Sequence, residues 1–203
     1  MGAFESNIHA SLNKEAEYVG VTTYQRYPLF VNQHKCPYSK IHLDPTEINL
    51  SFFVGKEQEQ AALDMLRTYE VIQFRPAVLA MNYREQWGCF SNPKAFDIFI
   101  EELCDTELAS SVSFFDYSNA HVWATLMIAK WELFAEFTYF YMALLKKLVS
   151  RDDFVELLTK DEGNRWADFR IPGFLTERLV PLWVFHKRLK SGFVPMVTTE
   201  KDA

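Results

Sequence analysis

Between Trp131 and Leu148, the apolar residues Leu133, Phe134, Phe137, Phe140, Tyr141, Leu144, Leu145 and Leu148 fall on one helical face, at the i, i+1, i+4, i+7, i+8 spacing. A stripe that wide has to be buried against another layer, so this chain must build a packed core around a long helix. Just before it, His121 to Ala129 (HVWATLMIA) is nearly continuous apolar sequence and reads as a buried strand. Tyr18 to Tyr24 is rich in β-branched and aromatic residues and reads as a strand, as does Tyr69 to Phe74, which Arg75-Pro76 ends. Lys56 to Thr68 reads as a helix with Ala61, Ala62, Met65 and Leu66 on one face. Asn92-Pro93 opens another, with Phe96, Phe99, Ile100 and Leu103 as its stripe. A last helix covers Phe174 to Leu189, kinked at Pro181. Residues 5–17 read as a short polar helix and 28–44 as an irregular loop. The expected class is α/β, a mixed sheet with flanking helices and a helix-rich C-terminal half. A single domain is expected over 1–197, with a polar tail at 198–203.

The partners are bounded by charge. Net charge is −6 and the pI near 5.4, so the chain gains nothing from counterion release and nucleic acid is excluded as a general partner. With 18 Phe and 49% apolar residues among 203, there is material for an unaided core. Cys36, Cys89 and Cys104 form no C-x-x-C pair and read as reduced thiols of a cytoplasmic protein. Met1 to Asn13 lacks the pattern of a secretory signal. The longest uncharged runs, Leu108 to Phe115 and Tyr117 to Ala129, fall short of the about 20 residues a membrane-spanning helix needs.

Three segments carry a resemblance. Tyr18-Val19-Gly20-Val21-Thr22-Thr23-Tyr24-Gln25-Arg26-Tyr27-Pro28 is similar to a strand and turn reading Y-[IV]-G-[LV]-x-H-Y-R-R-Y-F. Thr125 to Phe134 is similar to N-M-F-I-M-[KR]-x-x-[FL]-F, and Arg170-Ile171-Pro172-Gly173-Phe174-Leu175-Thr176-Glu177-Arg178-Leu179 to R-[VI]-x-G-F-[LI]-[ST]-E-R-L. In that order they resemble the GT-A-like glycosyltransferases of capsule and O-antigen gene clusters. The resemblance implies a GT-A-like sheet, a nucleotide-sugar donor and a glycan or lipid-linked acceptor. It implies that Tyr24, Arg26, Tyr27, Arg170 and Arg178 bind substrate and that Glu177 is catalytic. The chain departs from the pattern at Thr23, Gln25 and Thr125, where the family carries His, Arg and Asn. Few residues precede Tyr18, so the nucleotide-binding βαβ unit is expected to be short, missing or supplied by a separate chain. The rival expectation is a non-catalytic interaction domain that retains the C-terminal half of the fold.

The residues themselves frame the chemistry. Sugar transfer needs a base at the acceptor and positive charge on the leaving diphosphate. No D-x-D pair is present to hold a divalent metal; Asp105-Thr106-Glu107 and Asp152-Asp153 sit at helix starts, where carboxylates cap and meet the dipole. His34, Cys36, His42 and Asp44 lack the tight pair of a zinc site. Arg26 lies between aromatic residues at a strand end, where α/β sheets bind ligands, and reads equally well as a surface arginine stacked on Tyr24 or Tyr27. An Arg170–Glu177 ion pair pinning the helix start is the structural alternative for the last motif. Gly173 is expected to serve a close approach or an unusual φ. His121 reads as a satisfied core histidine. Lys146, Lys147, Arg151, Lys187, Arg188 and Lys190 complement helix C-termini; with Trp183, Phe185 and Phe193 they also suit a peripheral contact at the inner membrane surface. The Arg26 turn and the Arg170 to Arg178 segment are expected to line one cleft. No cofactor is expected, and elemental analysis of the purified protein should find no stoichiometric manganese or zinc.

Overall fold

The computed structural model describes residues 16–22, 26–31, 40–42, 55–122, 124–159 and 170–198. Their elements are, in order, β1 (Tyr18–Thr22), β2 (Arg26–Pro28), β3 (Lys40–His42), α1 (Lys56–Leu66), β4 (Val71–Phe74), β5 (Ala77–Val78), α2 (Tyr83–Gly88) and α3 (Pro93–Cys104). A 3-10 turn (Glu107–Ser111) follows, then α4 (Phe114–Tyr117), β6 (Ala120–His121), β7 (Leu126–Lys130), α5 (Trp131–Val149), α6 (Asp152–Thr159), α7 (Ile171–His186), β8 (Ser191–Val194) and β9 (Met196–Thr198). This is the mixed α/β architecture expected. The chain divides into two compact units, one of Met1–Ala77, Val122–Ala135 and Leu189–Ala203, the other of Val78–His121 and Glu136–Arg188.

The first unit is built on a four-stranded sheet in the order β1-β7-β4-β8. β7 is antiparallel to both β1 and β4, and β8 is parallel to β4, so β1, β4 and β8 share one direction. Ile72, Phe74, Leu126 and Val194 form the buried core of one face, with Leu66 from α1 buried against them and Ala61, Ala62 and Met65 half-buried beside it. Two glycines set the packing distances. A Cβ on Gly20 would meet Ile128 Cγ1 at 2.8 Å, and one on Gly192 would meet Tyr69 Cδ2 at 2.8 Å and Met65 Cε at 2.9 Å. β8 passes through Pro195 into β9, the centre of a three-stranded sheet in the order β2-β9-β3. Pro28 is accommodated because β2 lies at the edge of that sheet.

The apolar run at 121–129 is two strands rather than one: β6 and β7 belong to different ladders, and between them Ala124 adopts φ 65°. A left-handed residue turns the chain out of extended geometry, and residue composition alone gives no sign of it. Lys40–His42 pairs in parallel with β9, so the segment expected as loop contributes a strand too short to show alternation. Thr198, placed at the start of the expected tail, is fully buried in β9. The helix expected over 5–17 lies outside the described residues, apart from Ala16 and Glu17, which are not helical.

The second unit is helical and aromatic. Asn92 caps α3 by accepting from Lys94 N–H at 3.0 Å, and the buried stripe of α3 is Ala95, Phe96, Ile98, Phe99 and Leu103, with Ile100 only half-buried. Trp87, Phe96 and Phe115 interlock at centroid separations of 5.2 and 5.3 Å. Arg151 joins α3 to α6, donating to Glu101 and Glu102 and, in a fork, to Asp153. That hydrogen bond from Arg151 holds the Asp153 carboxyl below its usual range, a structural use of a carboxylate at a helix start. Lys187 bridges Glu136 at 2.7 Å and Glu107 at 3.2 Å, so its charge serves side chains as well as a helix end. Trp183 is fully buried, edge-on to Phe137 at 5.3 Å, and is not part of an exposed aromatic edge; Phe185 and Phe193 remain exposed. Among the described residues, no helix is long and apolar enough to cross a membrane.

α5 is continuous, as its periodicity requires. Phe134, Phe137, Leu144 and Leu148 are buried, Tyr141 and Leu145 are half-buried, and Thr138 is buried in their place. Phe137→Ala should destabilise the protein by roughly 3–5 kcal/mol in denaturant unfolding, because a fully enclosed ring is replaced by a cavity. A variant with an unchanged midpoint would show that this face is not the one packed.

Candidate functional site

The parallel strands β1, β4 and β8 end together at Thr22, Phe74 and Val194, the edge where α/β sheets place ligands. Thr22 Oγ1 donates to the Arg26 carbonyl at 2.9 Å, which fixes where the chain leaves β1 and enters β2. Arg75 N–H donates to Val194 O at 2.8 Å and Leu29 N–H to Pro195 O at 3.1 Å. Gln58 Oε1 accepts from the Phe30 and Val31 N–H groups at 2.9 and 3.2 Å, tying the segment after β2 to α1. Arg26 and Tyr27 therefore sit on a backbone held at several points, opposite Thr198 and Val197 in the ladder with β9. Both side chains are half-buried and engaged with other groups. Tyr24 lies outside the described residues.

The other candidates lie in the second unit. Arg178 is enclosed, with 5% of its surface exposed. Its Nη2 donates to Gln86 Oε1 at 2.7 Å; its Nη1 donates to Glu177 Oε2 and to the Phe174 carbonyl, both at 3.1 Å. The guanidinium stands over the Phe90 ring at 5.1 Å and the Trp87 ring at 5.5 Å. Burial pulls its pKa down and the Glu177 charge opposes that; a guanidinium starts so high that it stays cationic. Nε has no partner. Among the described residues, Glu177 is ion-paired with its sequence neighbour Arg178. The arginine is long enough to reach back past its own backbone to that neighbour.

Arg170 is exposed, and its guanidinium rests over the Phe174 ring at 5.3 Å. Phe174 meets Phe90 edge-on at 5.4 Å. A ladder therefore runs from Gln86 and Trp87 through Arg178 and Phe90 to Phe174 and Arg170. Gly173 serves neither reason expected of it: its φ is not left-handed, and a Cβ there would meet nothing within 4 Å. The residues that sequence reasoning missed are Gln86, Trp87 and Phe90. Their only sequence signal is a capping box, Asn82 with Glu85, that starts α2 and so aims Gln86 and Trp87 inward.

Residues 9–188 match a family described as "Domain of unknown function (DUF4422)". The chain belongs to the DUF4422 family. No curated protein sequence matches it. Among solved structures it is similar to one titled "WbbM bifunctional glycosytransferase apo structure", with a TM-score of 0.75 and 12% identity. The match covers 97% of this chain and 36% of that one, so the DUF4422 chain spans about a third of the length of the protein it resembles. The likeness is one of fold. It agrees with the glycosyltransferase-type sheet that the three sequence motifs imply.

Several other titratable or polar groups of this DUF4422 domain have structural roles. Thr106 caps the 3-10 turn between Asp105 and Glu107, accepting from Leu108 N–H at 3.2 Å. No cluster of three metal-ligating side chains occurs among the described residues; His34, Cys36 and Asp44 lie outside them, as does the side chain of His42. His121 is buried, its Nε2 2.9 Å from Met81 O and its ring 4.2 Å from Tyr83, the satisfied core histidine expected. Burial lowers its pKa from 6.5, the hydrogen bond to Met81 opposes this, and the nearby Arg178 charge lowers it further. A histidine held neutral in the fold contributes stability that is intact above the unfolded value of about 6.5 and is lost as pH falls below it. The melting temperature should therefore drop on acidification from about pH 7 to 5.5, and His121→Gln should flatten that drop. Equal slopes would remove His121 as the cause.

Proposed function

We propose that this domain is a glycosyltransferase module of surface-polysaccharide assembly, moving a sugar from a nucleotide-sugar donor to a glycan or lipid-linked acceptor. The observation that carries the reading is the similarity of 97% of the chain, at a TM-score of 0.75, to a structure titled a bifunctional glycosyltransferase. The sheet edge at Thr22, Phe74 and Val194 supports it, because Arg26 and Tyr27 follow directly from that edge. In this reading, fixed cations stabilise the departing diphosphate, with Arg26 at the sheet edge as the donor and no metal required. Glu177, held by Arg178, takes the proton from the attacking acceptor hydroxyl as the new glycosidic bond forms and the bond to the diphosphate breaks. The chemistry belongs on the cytoplasmic side of the membrane, where nucleotide sugars are made, and the lipid-linked acceptor would bring the domain to the membrane surface.

Calorimetric titration with uridine, guanosine, cytidine and thymidine diphosphates tests the reading. One of them should saturate the domain, and Arg26→Ala should weaken that binding about tenfold or more, about 1.4 kcal/mol. Failure of all four to bind at millimolar concentration would favour the rival reading, an interaction domain without a donor site.

A further inference from the structure

The strand that carries Arg26 is weak by itself. β2 is three residues long, lies at the edge of its sheet and ends in a proline, which has no N–H to give. Leu29 N–H still reaches Pro195 O at 3.1 Å. The next two N–H groups, of Phe30 and Val31, go to a side chain from another element, Gln58 Oε1 on α1, at 2.9 and 3.2 Å. At the front of β2 a second side chain, Thr22, donates through Oγ1 to the Arg26 carbonyl at 2.9 Å. Arg26 and Tyr27 stand between these two ties.

The ties are unequal. Thr22 is exposed, so its hydrogen bond is readily exchanged for one to water. Gln58 is 3% exposed and Phe30 8%, so losing their bond leaves a buried N–H unmet, at about 1–3 kcal/mol. Gln58 is also firmly mounted, because α1 packs Leu66, Met65 and Ala62 on the core of the four-stranded sheet. Its Nε2 is buried and finds no partner, so within the protein the acceptor oxygen is the working part of this side chain. A methionine would fill the same space without that unmet donor, and would leave the end of β2 untied.

We infer that Gln58 is a positioning residue of the proposed donor site: it fixes the backbone that carries Arg26, and so sets the affinity for a nucleoside diphosphate from α1. The inference rests on the reading above, in which Arg26 meets the diphosphate. Gln58 itself does not touch the ligand.

The test is calorimetry with uridine, guanosine, cytidine and thymidine diphosphates, beside amide hydrogen exchange at Phe30 and Val31. Gln58→Met should speed exchange at both amides and weaken diphosphate binding at least tenfold. Gln58→Glu retains an acceptor oxygen, and should restore both the protection and most of the affinity. Thr22→Val should weaken binding less than Gln58→Met does. In an Arg26→Ala background Gln58→Met should add little, because it acts through that residue. Should Gln58→Met not fold, Gln58→Asn, whose carboxamide is one methylene short, takes its place with the same expected losses. The inference is overturned if Gln58→Met binds like the wild type while its Phe30 and Val31 amides exchange freely. It is equally overturned if the Gln58 and Arg26 losses simply add, or if Gln58→Glu restores protection without affinity. If none of the four diphosphates binds the wild type, the transferase reading falls and this inference with it. If one binds the wild type and Gln58→Met alike, the inference alone falls.

Discussion

A guanidinium enclosed in protein is tolerated only where most of its donors are met and its charge has a counter-charge, since an unpaired buried cation costs several kcal/mol. Arg178 imposes that condition on the second unit. It fixes Gln86 as an acceptor, which requires α2 to present Gln86 and Trp87 inward, and the Asn82–Glu85 capping box sets where that helix begins. It also fixes Glu177 and the Phe174 carbonyl, and with them the first two turns of α7. The rings of Trp87 and Phe90 supply electron-rich faces in place of water. The aromatic core from Trp87 through Phe96 to Phe115 is an extension of that arrangement. Replacing Arg178 by lysine would keep a charge but lose the fork that joins the two helices.

In the first unit the corresponding constraint is register. β7 lies between β1 and β4, and its pairing places Gly20 opposite Ile128 and Val71 opposite Ala129. A Cβ on Gly20 would force Ile128 to shift, and one on Gly192 would press on Tyr69 and Met65. The same register brings three parallel strand ends together and starts β9 one residue beyond β8. Arg26 is thereby carried to the sheet edge by hydrogen bonds of the backbone rather than by any preference of its own side chain.

How much of this could be read beforehand depended on the range of the cause. α5, α3 and α1 are local: a stripe, a cap or a proline at the first position is written into adjacent residues, and all three helices form where expected. The break at Ala124 is a single left-handed residue inside an apolar run, visible only once β6 and β7 join different ladders. β3 is three residues long and exists because β9 is there to pair with it. For the candidate site, the sequence pointed to Arg26, Tyr27, Arg170, Glu177 and Arg178 as charged or aromatic residues in motifs. It could not tell a buried arginine with both Nη atoms donating inside the protein from one facing solvent. Gln86, ninety-two positions from Arg178 in the chain, decides that difference, and nothing near either residue announces the partner.

Glycines 20, 173 and 192 therefore carry different information. At 20 and 192 a side chain is excluded by what surrounds it, so the glycine reports on the fold and says nothing about a ligand. At 173 there is space for a side chain, a backbone that permits one and a helix that would gain from one. Agreement between propensity, packing and backbone geometry is what a foldable sequence shows, and on α7 it fails at more than one place. Pro181 removes a backbone hydrogen bond inside the helix, and the buried Arg178 Nε and Trp183 Nε1 find no partner. The helix holds in spite of these because buried Leu175, Leu179 and Trp183 anchor it and both Nη atoms of Arg178 tie it to Gln86 and Glu177.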